Sequence, residues 1–228
     1  MRKKMDTRIY VAAHKVFDVP KEKIYIPLHV GHAGKEELGY QGDDTGDHIS
    51  YKNANYCELT GIYWMWKNVN CDYIGLCHYR RYFVKDGQLL TQAYVENILQ
   101  QYDLILGNSS ISPHGSVESH YDHQHYHKDL VTCRKVLTGI CPEYVAAFDV
   151  CMQSNLMNLG NMLITKKQIF DDYCAWLFAV LEEVEKRTDL STYDTYQARL
   201  YGFLSERLLR VWVMMQELRV REEMIVQV

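Results

Sequence analysis

Residues 72–83 read DYIGLCHYRRYF, and the two halves of this stretch carry different instructions. Tyr73, Ile74, Gly75, Leu76 and Cys77 form a short apolar run rich in strand-forming types, the pattern of a buried strand. His78, Tyr79, Arg80 and Arg81 follow without a break. In an open α/β sheet, ligands bind in the crevice outside the carboxyl ends of the strands. An imidazole and two guanidinium groups delivered there point to an anion site, most naturally for a phosphate or diphosphate. The competing reading is a solvated loop whose arginines pair with surface carboxylates. Gly75 leans toward the site, because glycine inside a strand admits close approach of another backbone or a ligand.

Outward from this strand the chain alternates. Strands are expected at residues 9–13 and 24–30, the first running into His14 and Lys15, the second into Gly31 and Gly34. Residues 39–47, GYQGDDTGD, read as a loop. Asn53 is the expected N-cap of an amphipathic helix over residues 54–68, with Tyr56, Leu59, Ile62, Tyr63 and Trp66 at helical spacing. A helix at 92–101 and a strand at 103–106 follow, then a Ser/Gly-rich loop at 107–119. The second half is mainly helical, at 130–137, 143–152, 168–186 and 196–216, with a short strand at 161–164. The alternating tail, 218–228, is expected to add an edge strand or an extended arm. The fold class is α/β: one domain with a largely parallel sheet in residues 1–110 and a helical half, 111–228, that walls a cleft.

Composition bounds the function. The chain has 228 residues, 24% of them charged, with a formal net charge of -4, which argues against a nucleic-acid partner held by a positive field. Eighteen tyrosines against six phenylalanines suit a polar, sugar-binding cleft, although interface use explains them equally well. The 7 cysteines include no CxxC pair, and the simplest reading is buried, reduced thiols in the cytoplasm. The basic N-terminus lacks the apolar segment of a signal peptide, and no run is long enough to span a bilayer. A cytoplasmic protein is expected, at most peripheral on the inner face of the cell membrane.

Other candidate chemistry competes with blander readings. Asp43, Asp44 and Asp47 in the glycine-rich loop have the makings of a Mg²⁺ or Mn²⁺ site, but Asp and Gly are also the commonest turn residues, so no metal is assigned and Asp47 is kept as a polar contact. His120, His123, His125 and His127 are dense, but without HExxH or cysteine partners a metal site is disfavoured. A helical i,i+4 pair of His125 with Asp129 is the alternative, a general acid/base unit. Near the C-terminus, Arg199, Glu206, Arg207 and Arg210 punctuate an apolar helix; they are read either as surface pairs or as groups directed into the cleft. No GxGxxG follows the first strand, and neither a Walker A nor a GxSxG sequence occurs.

DHISYKNANYCELTGIYWMWKN at residues 47–68, followed by DYIGLCHYRRYF, resembles a bacterial capsular and exopolysaccharide biosynthesis family long catalogued as a domain of unknown function. The resemblance continues through YDHQHYHKDL, NMLITKKQIFDDYCAWLF and YDTYQARLYGFLSERLL, and so spans nearly the whole chain. It implies a GT-A-like glycosyltransferase, residues 1–110 forming the nucleotide-sugar-binding half and 111–228 the acceptor-side half, with galactofuranose transfer among the associated activities. The matching positions are His14, Lys15, Asp47, Ser50, Lys52, Asn53, Glu58, His78, Tyr79, Arg80, Arg81, Tyr121, His125, Asp129, Asn161, Arg199, Glu206 and Arg207. One departure stands out. GT-A enzymes carry Asp-x-Asp after the central strand to hold a divalent metal, whereas this chain has His78-Tyr79-Arg80.

These readings combine into one expectation: transfer of a sugar from a UDP-sugar to a lipid-linked capsular or exopolysaccharide glycan, with no metal required. His14, Lys15, Asp47, Lys52, Asn53, His78, Tyr79, Arg80 and Arg81 would bind the donor. Tyr121, Asn161, Arg199 and Arg207 would line the acceptor side or the cleft. His125, Asp129 and Glu206 are the candidates for the base. The rival reading is a non-catalytic nucleotide- or glycan-binding subunit of a polysaccharide assembly complex.

Overall fold

The computed structural model describes residues 5–158 and 160–228; the basic stretch at residues 1–4 lies outside them. The strands in chain order are β1 (Thr7–Ala13), β2 (Tyr25–His29), β3 (Gln41–Gly42), β4 (Tyr73–His78), β5 (Arg81–Lys85) and β6 (Gln88–Leu89), then β7 (Leu104–Gly107), β8 (Ser110–Ile111), β9 (Leu156–Met157), β10 (Leu163–Lys166) and β11 (Val220–Gln227). The helices are α1 (Asn53–Tyr56), α2 (Leu59–Asn68), α3 (Gln92–Gln101), α4 (Val117–Gln124), α5 (His127–Ile140), α6 (Val145–Gln153), α7 (Lys167–Glu185) and α8 (Leu200–Met215).

A mixed α/β architecture results. The main sheet runs β3-β2-β1-β4-β10-β7-β11-β5-β6. Strands β3, β2, β1 and β4 are parallel. Beyond β4 the largely parallel sheet expected from the sequence ends, because β10 enters antiparallel to both β4 and β7. The tail is not an edge strand either. β11 lies inside the sheet, parallel to β7 and antiparallel to β5, where its backbone groups find partners on both sides. β5 also bridges back to β4, so β4, β10, β7, β11 and β5 pair in a ring. Both β10 and β11 come from beyond residue 110, so the sheet itself draws on both halves of the chain.

The period-2 pattern of β4 explains its burial. Ile74 and Leu76 enter the larger core with α2 and α5 to α8, while Tyr73 and Cys77 enter a smaller core with Val95, Ile98 and Leu99 of α3. The helix expected over residues 54–68 is broken. Cys57 takes φ 53°, ending α1, and α2 starts at Leu59. Asn53 is therefore not an N-cap; its amide donates to the Cys57 carbonyl at 2.7 Å and stabilises the break.

Gly75 has a definite partner. A Cβ there would sit 2.7 Å from Ile164 Cγ1 and 3.0 Å from the Leu163 carbonyl oxygen, so β10, not a ligand, makes the close approach. Gly75→Ala is expected to destabilise the fold by about 1–3 kcal/mol through overpacking. Urea unfolding should show a lower midpoint at an unchanged slope.

Candidate functional site

The hairpin after β4 has a single bridge, His78 to Arg81, which puts Tyr79 and Arg80 at its tip. The tip projects beside the C-terminal ends of β1 and β2, where a cleft of roughly 750 Å³ opens. Lys35, Arg80, Arg81 and Arg199 line this cleft, against the carboxylates of Glu58 and Glu206. Among the described residues, none of these four cations forms a salt bridge. Arg80 lies 5.0 Å over the Tyr79 ring, and Arg199 Nε donates to Cys57 Sγ at 3.2 Å. The loop reading, with arginines paired to surface carboxylates, does not describe this hairpin. Burial, followed by the charges of Lys15, Lys35, Arg80 and Arg199, holds the His14 imidazole below its usual range. Neutral His14 thus sits within a ring of positive charge.

A turn at Gly160 and Asn161 ties the walls together. Both residues take positive φ, 92° and 49°, a conformation that glycine and asparagine tolerate best. His78 Nε2–H donates to the Gly160 carbonyl at 2.6 Å. The Gly160 N–H donates to Glu206 Oε1 at 2.8 Å, and Arg207 Nη1 donates to Glu206 Oε2 at 2.7 Å. Asn161 Nδ2 donates to Glu58 Oε1 at 2.7 Å. Burial pushes the Glu206 carboxyl above the ordinary range, with Arg207 opposing. The Cys57 thiol in the same wall is pushed up to about 11 by burial, which leaves it protonated and a poor nucleophile near neutrality.

A second cavity of roughly 550 Å³ shares Arg81, Arg199 and Glu206 with the first. Its remaining walls include His120, His125, Tyr196, Phe203 and Arg207. The helical pairing expected of His125 and Asp129 does not form. His125 is the extended residue that ends α4, and Asp129 lies within α5. Asp129 is buried and accepts from the Tyr193 hydroxyl at 2.6 Å, while His125 Nδ1 lies 3.2 Å from Gln197 Oε1. Desolvation lowers His125 to about 4, so its ring is neutral and weakly basic near neutral pH.

The other sequence candidates divide cleanly. His14, Asn53, His78, Tyr79, Arg80, Arg81, Arg199 and Glu206 line the first cavity, and His125 and Arg207 line the second. Lys15 sits at the edge, its Nζ 5.5 Å over the Tyr79 ring. Lys52 and Asp47 line neither: Lys52 is held by Glu185 at 2.7 Å, and Asp47 accepts from the Tyr63 hydroxyl at 3.2 Å. Tyr121 is fully buried beneath Arg207, and Asn161 works from behind Glu58. Asp43 anchors its loop by accepting from the backbone of Gly31 and His32 and from the Ser50 hydroxyl. Among the described residues, no three His, Cys, Asp or Glu side chains converge as a metal cluster. Lys35, Tyr196 and Phe203 escaped the sequence reading. Lys35 follows Gly34 just past a strand, the same signal that marked the Arg80 hairpin.

The match to known families follows the chain almost end to end. Residues 8–217 fit the family described as Domain of unknown function (DUF4422). The chain belongs to that family. It is also similar to a solved structure titled as the apo form of the WbbM bifunctional glycosyltransferase, at 29% identity and a TM-score of 0.87. That similarity covers 98% of this chain and 45% of the other, so the chain spans less than half of that protein's length. No curated protein matches the chain.

The buried Arg207 depends on its carboxylate partner. Glu206→Ala strands the guanidinium in the protein interior and should cost about 3–5 kcal/mol. Glu206→Gln keeps the side-chain volume and one acceptor oxygen, for either Gly160 or Arg207, while its NH2 faces the other donor; it should cost less than Glu206→Ala. Denaturant melts of the two variants beside the wild type test this ordering.

Proposed function

We propose that this chain is a glycosyltransferase that uses a UDP-sugar. The observation that carries this reading is the cluster of cations without carboxylate partners in the first cavity: Lys35, Arg80, Arg81 and Arg199. Guanidinium groups bind phosphate oxygens in forked pairs, and four positive charges match a diphosphate leaving group. The likeness to WbbM, whose title names a glycosyltransferase, supports the same class.

In the proposed reaction, a hydroxyl oxygen of the acceptor attacks the anomeric carbon of the donor sugar. The bond from that carbon to the diphosphate breaks, and the electron pair leaves with UDP. Arg80, Arg81, Lys35 and Arg199 neutralise the charge that builds on the diphosphate, and His14, Lys15 and Tyr79 complete that side. For an inverting transfer, Glu206 takes the hydroxyl proton. It stands on the wall common to both cavities, and its raised pKa makes it a stronger base than an ordinary carboxylate. Asp129, held by Tyr193, and the weakly basic His125 are poorer candidates. A GT-A-like division into a donor side and an acceptor side fits this arrangement. Galactofuranose as the sugar, and a lipid-linked capsular or exopolysaccharide glycan as the acceptor, are the finer reading that the family resemblance suggests. Because the hairpin in the place of Asp-x-Asp is basic, the proposed chemistry runs without a divalent metal.

Arg80→Ala should weaken UDP binding by about 1.5–3 kcal/mol in titration calorimetry, with only partial rescue in Arg80→Lys. Unchanged affinity in the folded Ala variant would remove Arg80 from the site. UDP binding and turnover should both survive EDTA; loss with recovery on Mn²⁺ would reverse the metal reading.

Glu206→Gln should lower turnover by about 10²-fold or more while UDP affinity holds. A base works only when ionised, so wild-type kcat/KM should fall as pH drops through the Glu206 pKa. That acid limb should lie above the ordinary carboxylate value of about 4.3 and vanish in Glu206→Gln. A chain that binds UDP but never releases sugar from any UDP-sugar, with or without acceptor, would be a binding subunit instead.

A further inference from the structure

The second cavity has one aromatic wall. The rings of Tyr196 and Phe203 lie 5.2 Å apart. His125 backs both of them, 3.9 Å from Phe203 at 24° and 5.9 Å from Tyr196 at 23°. The imidazole is locked in place: Gln197 Nε2 donates to the Gln124 carbonyl at 2.8 Å, which turns Gln197 Oε1 toward the His125 Nδ1–H at 3.2 Å. Tyr196 is 50% exposed, so its ring is open to a ligand. The lining also includes the neutral polar groups Asn108, Ser110 and Gln124. At the floor, Phe203 lies one helical turn before Glu206, and the Phe203 carbonyl accepts from Arg207 Nη1 at 3.0 Å.

We propose that Tyr196 and Phe203, backed by His125, form the platform that binds the terminal sugar ring of a glycan acceptor. A sugar ring has an apolar C–H face and a rim of hydroxyls. It needs a flat aromatic surface on one side and hydrogen-bonding groups around it, the mixture found here and typical of small-ligand sites of about 300–1,000 Å³. The Arg199 guanidinium lies 5.8 Å from the Tyr196 ring and 5.6 Å from the Phe203 ring, so a cation borders the platform on the side it shares with the first cavity. The shared wall places Glu206 where a hydroxyl of a ring seated on this platform would meet a donor in the first cavity. Assigning that ring as the acceptor rests on the glycosyltransferase reading; the platform's affinity for sugar does not.

Saturation-transfer NMR with methyl galactoside, methyl glucoside and methyl mannoside, with and without UDP, tests the platform directly. At least one glycoside should receive saturation on its ring C–H protons in the wild-type protein. Tyr196→Ala and Phe203→Ala should each weaken that glycoside about tenfold, the scale of one lost aromatic contact. Tyr196→Phe, which keeps the ring, should restore binding. Tyr196 is half exposed, so its variants keep the fold even if Phe203→Ala does not; thermal melts check this. Absence of transfer to all three glycosides in the wild type, or an unchanged signal in Tyr196→Ala, would overturn the platform. A separate UDP thermal shift of the wild type reports on the donor reading. Glycoside binding without a UDP shift would leave the platform standing and remove the transferase; a UDP shift without glycoside binding would do the reverse.

Discussion

The Glu206 carboxylate, held between the Gly160 amide and the Arg207 guanidinium, is the interaction on which the rest of the site depends. It joins α8 to the turn that precedes β10. That turn reaches on to His78 through the Gly160 carbonyl and to Glu58 through the Asn161 amide. Four separate stretches of sequence, around Glu58, His78, Gly160 and Glu206, therefore share one small knot of hydrogen bonds. Charge-assisted bonds of this kind in a poorly hydrated place are costly to break, because each lost partner leaves a buried charge or dipole unpaired. The knot fixes the carboxylates while leaving the hairpin arginines free.

That division of charge is informative about function. Arg207 is buried and engaged by Glu206, whereas Arg80, Arg81, Lys35 and Arg199 keep their charges turned to the cleft. Folding has thus paired the cation that supports the carboxylate and, among the described residues, left the others without carboxylate partners. The aromatic wall of the second cavity adds an apolar surface beside these charges. His125 has traded a titratable role for a packing one, because burial among Phe203, Tyr196 and Tyr121 costs it the proton.

Much of the fold was legible locally. α3 spans the residues expected of it, and β1, β4 and α7 fall within a residue or two, because their apolar spacing or run is continuous and their neighbours are turn formers. The break at Cys57 was not legible: the helical pattern of Tyr56, Leu59 and Ile62 runs straight through it, and only the Asn53 side chain, folding back on the Cys57 carbonyl, ends the helix there. Lys52 and Asp47 looked like ligand-binding groups for a related reason. A charged residue in a promising motif does not announce its partner, and Glu185, which engages Lys52, lies 133 residues away.

What the sequence alone determined was the presence of a buried strand that delivers His78, Tyr79, Arg80 and Arg81 at its carboxyl end, since a continuous apolar run followed by charge can satisfy both only where core meets solvent. The family resemblance carried in the same motifs was equally plain. The tertiary structure decided which other groups meet there. β10 enters antiparallel against Gly75, and the tail returns to the middle of the sheet. Together with the Gly160 turn, these long-range pairings set Glu206 on the wall between two cavities. No local pattern encodes them, because backbone hydrogen bonds between strands carry no side-chain signature, and the partners of Gly75, Glu58 and Glu206 are each far away along the chain.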